Sequence, residues 1–278
     1  GVQRLDDRHE VGLDAEHEED VDEDREDEGA GHVHLCGAIH VEALAKDPVR
    51  EARFVEMELS RARCPTAMVV RVDLTSPNVE QHLDQLLSVS KRVRGVRHIL
   101  NHHIDPALTF TEQDLLSQPG LINRLKVLAD REMRFDLQIY PHQMARAARV
   151  LEKLPELGVV LDHAGMWADR SFQGWQEWKN GLRALAEMPN VRVKLSGLGK
   201  FDPNWTMESF RVPIFEVIEQ FGPDRVMLAS NYPIERRHAG YVELWRTFDH
   251  ILSGFSAAER HQMFARTAWD FYRLEATA

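Results

Sequence analysis

The sequence has few cysteines, no long apolar run and no glycine-rich nucleotide motif, and each absence excludes a class of protein. Only Cys36 and Cys64 occur, outside any CxxC pair or Cys/His cluster, so a disulfide framework is not expected and a reducing, cytoplasmic location is predicted. No stretch reaches the roughly 20 apolar residues of a membrane-spanning helix, and no secretory signal pattern opens the chain. Without GxGxxG or a P-loop, the usual nucleotide-binding folds are not expected either.

The net charge of -11 is confined to the N-terminal segment. Residues 1–31 carry 14 acidic and 3 basic side chains, whereas the remainder carries 31 of each. A neutral body has no phosphate-binding surface, so nucleic acid is not expected as a partner, and neither is a membrane. Dense like charge without aromatic residues predicts a disordered extension over residues 1–31, with an acidic interaction tail as the alternative.

From Ala38 onwards, short apolar runs rich in β-branched residues alternate with longer stretches of helical spacing. The predicted strands cover residues 38–44, 67–73, 95–101, 134–140, 159–165, 192–198 and 225–231. One-sided apolar spacing predicts helices over 78–92 and 142–154, with a final pair over 236–252 and 256–274. Such alternation is typical of parallel strands joined by right-handed crossovers. We therefore expect an α/β fold over residues 38–274, a TIM-type (β/α) barrel of about seven units, incomplete at its N-terminus.

Polar side chains stand at or just beyond the end of nearly every predicted strand. In a (β/α) barrel these ends meet at one mouth, and a ring of buried polar groups is costly unless it has a function. The candidates for substrate binding are His40, Glu42, Arg97, Tyr140, His142, Lys194 and Ser196. His163, in VVLDHAG, follows an apolar run and precedes a turn of small residues. That position suits a general base or a metal ligand, with a core histidine as the alternative.

The two-residue period of a strand predicts which of these side chains share a face. It places Lys194 with Ser196, and His40 with Glu42. Asp162 falls on the face opposite the histidine that follows it, so we expect it to brace the exterior of the barrel. For Lys194, a site cation and a structural ion pair are equally open interpretations.

The stretches FDLQIYPHQM, VVLDHAG, VRVKLSGLGKFDPNWT and FGPDRVMLASNYP resemble the amidohydrolase-related family, in particular its lactonase-like branch. The segment IHVEA at 39–43 is similar to the same branch, and the resemblance covers about residues 38–274. It implies a barrel enzyme that is either metal-dependent or metal-independent. The family includes lactonases acting on sugar lactones and on pyrone dicarboxylate, together with some decarboxylases.

The same resemblance implies that His163 is the strand histidine used in catalysis or metal binding. Asn231 falls where the family commonly has an aspartate that takes a proton from the attacking water; an amide lacks that basicity, so Asn231 is expected to position water. Family members open with a strand ending in His-x-His. The HVH at 32–34 precedes His40 too closely to be that strand, so the first βα unit is expected to be absent or replaced. No cofactor is therefore expected, with zinc or manganese as the alternative.

Together these observations predict a hydrolase that opens a lactone or cyclic ester of a small polar acid or sugar acid by water attack. His163 is predicted to orient or activate the water. The side chains predicted to hold substrate oxygens and stabilise the oxyanion are Arg97, Lys194, Tyr140 and His142. A metal-dependent decarboxylase of the same family, or a non-catalytic binding protein or remnant barrel, are the alternatives. The expected partner is a small-molecule substrate, and homo-oligomerisation is left open.

Overall fold

The computed structural model describes residues 33–275, so the predicted acidic extension and His32 lie outside the described part of the chain. Seven strands form one sheet: β1 Ala38–Val41, β2 Thr66–Arg71, β3 Val93–Ile99, β4 Arg134–Gln138, β5 Val159–Leu161, β6 Val191–Leu195 and β7 Val226–Leu228. Each strand pairs in parallel with its neighbour in sequence, in the order β1 to β7. The predicted architecture, a barrel-like sheet of seven parallel strands, is confirmed.

Helices connect the strands and cover the outside of the sheet. They are α1 Pro48–Leu59, α2 Val79–Val89, α3 Leu121–Asp130, α4 Pro141–Leu151, α5 Phe172–Ala186, α6 Met207–Phe221, α7 Tyr241–Ile251, α8 Ala257–His261 and α9 Thr267–Tyr272. A π-helical stretch, Gln262–Arg266, joins the last two. Within residues 33–275 no helix is both long and apolar enough to cross a bilayer.

The sheet curls as an incomplete barrel, and its two faces pack into different apolar clusters. Met68 and Val70 of β2 lie in the larger cluster, formed with the surrounding helices. Ala67 and Val69 of the same strand face the barrel interior, where they pack with Tyr272 of α9. The strand alternation therefore assigns each side chain to the helix-facing layer or to the interior.

The C-terminal helix closes the end of the barrel at which the strands begin. Phe271 and Tyr272 of α9 pack into the interior cluster, together with Leu274. The guanidinium Nε of Arg134, the first residue of β4, donates to the carbonyl of Phe271 at 2.7 Å. The chain itself thus occupies this end of the sheet, opposite the mouth, where the strands end.

The predicted strands begin close to the observed ones but continue past their ends. The run 159–165, for example, is a strand only over Val159–Leu161. The backbone turns left-handed at His163 and Ala164, and again at Asn231 after β7. Extended pairing cannot continue through such residues. The departures from the predicted ends thus lie at the mouth, where the candidate site residues stand.

Candidate active site

The ends of β5 and β6 bring His163 against Ser196, with Nδ1 of the imidazole 2.9 Å from the serine Oγ. Strand β5 ends at Leu161, and both His163 and Ala164 have positive φ angles, 55° and 49°. Simple alternation would place the imidazole on the helix-facing side, together with Leu161. The left-handed residues instead turn it towards the inner face, where Ser196 lies.

The imidazole of His163 is neutral at physiological pH. Burial is the largest cause, and it lowers the pKa of His163 to about 4. The neighbouring Asp162 carboxylate favours the protonated ring, whereas the positive charges of Arg97, Lys194 and Lys200 oppose it. A neutral imidazole has one nitrogen that donates and one that accepts, so His163 retains a nitrogen lone pair for a proton.

Asn231 lies beside His163, and a glycine makes this approach possible. A Cβ on Gly197, whose φ is +62°, would lie 2.8 Å from Nδ1 of His163 and 3.4 Å from Nδ2 of Asn231. The amide Nδ2 of Asn231 donates to Oε2 of Glu235 at 3.1 Å, and Oε1 of Glu235 accepts the backbone N–H of Gly199 at 3.0 Å. The buried Glu235 therefore fixes both the Asn231 amide and the turn that follows β6.

Beneath the mouth, five charged side chains form a buried array that we call the interior ladder: Glu42, Arg97, Asp162, Lys194 and Asp136. Nε of Arg97 donates to Oε1 of Glu42 at 2.7 Å, and its Nη1 lies 3.6 Å from Oδ2 of Asp162. Nζ of Lys194 lies 2.9 Å from Oδ1 of Asp162 and also donates to Asp136. Two cations thus form ion pairs with three carboxylates inside the barrel.

Two carboxylates of the ladder, Asp162 and Asp136, differ in pKa, because Asp162 lies near both cations whereas Asp136 pairs with Lys194. Burial opposes ionisation of Asp162, but Lys194, His163 and Arg97 outweigh it and lower its pKa. Burial raises the pKa of Asp136 to about 6, against the attraction of Lys194 and a hydrogen bond that the Tyr272 hydroxyl donates at 2.9 Å. A proton taken up by the ladder in mildly acidic solution therefore goes to Asp136.

The predicted position of Asp162 on the barrel exterior is wrong. Val160 faces the interior cluster, so Asp162, two residues later, faces inward as well. The shared inner face of Lys194 and Ser196 is confirmed, and the structure makes Lys194 part of an ion-paired array. The donors of Arg97 and Lys194 are occupied by protein groups, so neither presents a free charge to a substrate oxygen.

The expected shared face of His40 and Glu42 is also wrong. Ile39 and Val41 pack against the interior cluster, so His40 points towards α1, where its Nε2 lies 3.1 Å from Oε1 of Glu51. Glu42 follows the end of β1 and turns inward to join the interior ladder. The structure therefore brings Glu42 below the mouth and leaves His40 between sheet and helix.

Tyr140 and His142 fasten the loop that follows β3, residues 100–114. The Tyr140 hydroxyl donates to the carbonyl of Leu108 at 2.7 Å, and Nε2 of His142 lies 3.0 Å from the carbonyl oxygen of His102. The two rings are stacked, with centroids 6.2 Å apart. Their predicted substrate contacts stay predictions, but these polar atoms already have partners in the loop.

A cleft opens beside His163, between the turn after β5 and the turn after β6. Its walls include the aromatic side chains of Trp167, Trp178, Phe201 and Phe210. The Arg170 guanidinium stacks on Trp167 at 3.8 Å from the ring centroid. The cleft is a narrow slot next to the imidazole, with room for about one water molecule.

Sequence reasoning missed Glu235 and Tyr272. Glu235 follows Asn231 by four residues in the same turn, so an acidic residue shortly after the last strand was a usable signal. Tyr272 reaches Asp136 from the other end of the chain, across 136 residues. No local pattern marks that contact.

Comparison with known proteins gives consistent matches across the barrel. A family model described as amidohydrolase matches residues 28–274. The uncharacterized protein y4mH of Sinorhizobium fredii is 33% identical over 250 residues, 88% of this chain and 83% of that protein. An L-fucono-1,5-lactonase of Burkholderia multivorans is 27% identical over 261 residues, 85% and 83% of the two chains. A crystal structure of an amidohydrolase from Burkholderia multivorans with bound zinc has a TM-score of 0.76 at 26% identity, covering 87% of this chain and 84% of that one.

Within residues 33–275, the mouth does not offer the donors of a zinc site. Zinc takes three or four ligands from histidine, cysteine, aspartate and glutamate. Among residues 33–275 no group of three such side chains is arranged to hold a metal ion. Beside His163 stand a serine and an asparagine, and the carboxylates below are paired with Arg97 and Lys194. The residues that the structure describes do not fit the ion, and independence from a metal stays a prediction.

Proposed function

The chain belongs to the amidohydrolase family, and on that premise we propose that it is a lactonase that opens a lactone or cyclic ester of a small polar acid or sugar acid by attack of water. The observation that carries the proposal is the neutral imidazole of His163, held by Ser196 at the mouth of the barrel. A lactone is a reactive acyl group, so a positioned base suffices to activate water. Two relatives named L-fucono-1,5-lactonase, 27% and 25% identical, support a lactone as the substrate class.

His163 is the general base of this reaction. Its Nδ1–H donates to Oγ of Ser196, which leaves the lone pair on Nε2 to accept a proton from water. The water oxygen then bonds to the lactone carbonyl carbon, and the tetrahedral intermediate collapses with cleavage of the ring C–O bond. His163 returns the proton to the departing alkoxide, so the products are a hydroxyl and a carboxylic acid, and the enzyme is unchanged.

Asn231 positions the water. Because Nδ2 of Asn231 donates to Glu235, the amide oxygen is left as a hydrogen-bond acceptor. An acceptor beside His163 orients a water molecule without removing its proton. Glu235 is a positioning residue, since it acts through the amide that it holds.

The interior ladder acts through its electrostatic field. Arg97 and Lys194 oppose the imidazolium form of His163 and so keep the base available. The ladder as a whole holds three carboxylates against two cations, so it supplies no net positive field for the lactone carbonyl oxygen. In this proposal Arg97 and Lys194 act on the base, in place of the direct substrate contacts predicted for them.

The test is a panel of γ- and δ-lactones of sugar acids and small hydroxy acids, followed by acid release with a pH indicator. The proposal predicts turnover of at least one lactone without added metal. Release of carbon dioxide from an aromatic acid, only with zinc or manganese, would favour the decarboxylase alternative. Inactivity towards every lactone would favour a binding protein or remnant barrel.

A further inference from the structure

Lys200 lies in the turn Leu198–Phe201, which follows β6 and packs against the catalytic histidine. This turn begins after Gly197, the residue whose Cα approaches the His163 ring, and the Lys200 N–H donates to the Gly197 carbonyl at 3.3 Å. The charge of Lys200 is one of those that oppose protonation of His163. Its field therefore reaches the proposed reacting centre.

The Lys200 ammonium lies over two aromatic rings from opposite sides of the mouth. Nζ lies 5.4 Å from the ring centroid of Phe201 and 5.8 Å from that of Phe110. Phe110 belongs to the loop after β3, where its N–H donates to the carbonyl of Asn101 at 2.9 Å. Phe201 also lines the cleft beside His163, so Lys200 stands at the entrance to that cleft.

Among residues 33–275 Lys200 has no carboxylate partner, unlike the two other cations near His163. Arg97 and Lys194 are buried in the interior ladder and neutralised there. The Lys200 ammonium lies over the two rings, and the residue is exposed to solvent. Desolvation by the surrounding protein lowers the pKa of Lys200. A partly desolvated cation without a counter-charge favours the binding of an anion.

We propose that Lys200 selects an anionic substrate, a lactone that carries a carboxylate group. The inference rests on the proposed lactonase function and names the substrate class of the same site. The carboxylate accepts hydrogen bonds from Nζ beside the cleft, and the lactone ring lies at the mouth next to His163. The role of holding substrate oxygens, predicted for Arg97 and Lys194, thereby passes to Lys200 in the turn after β6.

The kinetic test compares one lactone ring with and without the charge: 5-oxotetrahydrofuran-2-carboxylate and its carboxamide. The parent is expected to prefer the carboxylate at least tenfold in kcat/KM, the scale of a charge-assisted hydrogen bond. Lys200→Met should lower the ratio of carboxylate to carboxamide kcat/KM about tenfold or more, mainly through KM, and Lys200→Arg should restore part of it. Lys91→Met is the matched control, because Lys91 is exposed before the start of β3, at the opposite end of the barrel.

A binding measurement separates this inference from the lactonase proposal. The unreactive lactam 5-oxopyrrolidine-2-carboxylate and its amide are titrated against intrinsic tryptophan fluorescence. Tighter binding of the carboxylate to the parent and to Lys91→Met, lost in Lys200→Met, supports the anion site even if no lactone is hydrolysed. Equal binding of acid and amide, no binding of either, or a preference that survives in Lys200→Met overturns it. Hydrolysis without a charge preference overturns the substrate class and leaves the lactonase proposal standing.

Discussion

Ser196 Oγ and His163 Nδ1 lie 2.9 Å apart, a contact between neighbouring strand ends that are 33 residues apart in sequence. It depends on the left-handed backbone at His163 and on the absence of a side chain at Gly197. The serine is the only hydrogen-bonding partner of the ring among the described contacts of His163. Its hydroxyl therefore orients the imidazole, and the proposed mechanism uses the tautomer in which Nδ1–H donates to Oγ and Nε2 is the base.

Replacing Ser196 with alanine tests that role. The variant should fold, because the change removes one oxygen and leaves the backbone intact, but its imidazole loses its orientation. We expect kcat/KM on the best lactone to fall ten- to hundredfold, the scale of a small misplacement of a catalytic group. Ser88→Ala on the exposed side of α2 is the control. A folded Ser196→Ala variant with parental kcat/KM would show that the contact is dispensable.

The pH profile of kcat/KM should carry the low pKa of His163. As pH falls through about 4, the imidazole takes up a proton and loses its lone pair, so activity declines there. An unperturbed histidine would produce that decline near 6.5. Initial rates between pH 3.5 and 8 on one lactone locate the acidic limb, with circular dichroism at each pH to verify folding. A limb between pH 6 and 7 contradicts the neutral, buried base.

Lys194 holds the interior ladder together, and its loss should destabilise the fold. Lys194→Met leaves Asp136 and Asp162 as buried carboxylates without their shared cation, a change that typically costs about 3–5 kcal/mol. Arg211→Met removes an exposed pair with Glu208 and should cost no more than about 1 kcal/mol. Guanidinium unfolding gives both values. If both variants lose the same small free energy of unfolding, the ladder stabilises the fold no more than an exposed ion pair does.

Replacing Asn231 with aspartate should lower the stability of this chain. Asn231→Asp removes the donor to Glu235 and places a second carboxylate against it, where Nδ2 now lies 3.1 Å from Oε2. We expect a loss of about 1–3 kcal/mol at pH 7, regained as pH falls and one carboxyl is protonated. Adding Glu235→Gln should restore stability at pH 7, because the new amide can donate to the aspartate. Unfolding curves of both variants at pH 5 and 7 measure these changes in stability. If Asn231→Asp alone is as stable as the parent at pH 7, the coupling between positions 231 and 235 is refuted.

The sequence was sufficient for the fold because both signals are local: apolar runs mark the strands, and helical spacing marks the connections. The two-residue period also assigned Lys194 and Ser196 to one face, because Ser196 directly follows β6 and keeps its alternation. It failed for His40 and Glu42, because β1 ends at Val41 and Glu42 turns inward after it.

The rest of the site depends on contacts that a local pattern does not carry. The direction of the His163 side chain depends on the left-handed backbone at that residue. The inward direction of Asp162 depends on which residues of β5 face the interior. Tyr272 reaches Asp136 from the C-terminal helix. Lys200 became a candidate only from the structure. There Arg97 and Lys194 are paired with carboxylates, and the Lys200 ammonium lies over two rings.

The most direct test of the account is the turnover of His163→Asn on the best lactone of the panel. An amide of similar size can keep a hydrogen bond to Ser196, so circular dichroism should match the parent. Without a basic nitrogen, kcat should fall by about two orders of magnitude or more, the usual scale for losing an acid–base group. A folded His163→Asn variant that hydrolyses the lactone at close to the parental rate would contradict the account.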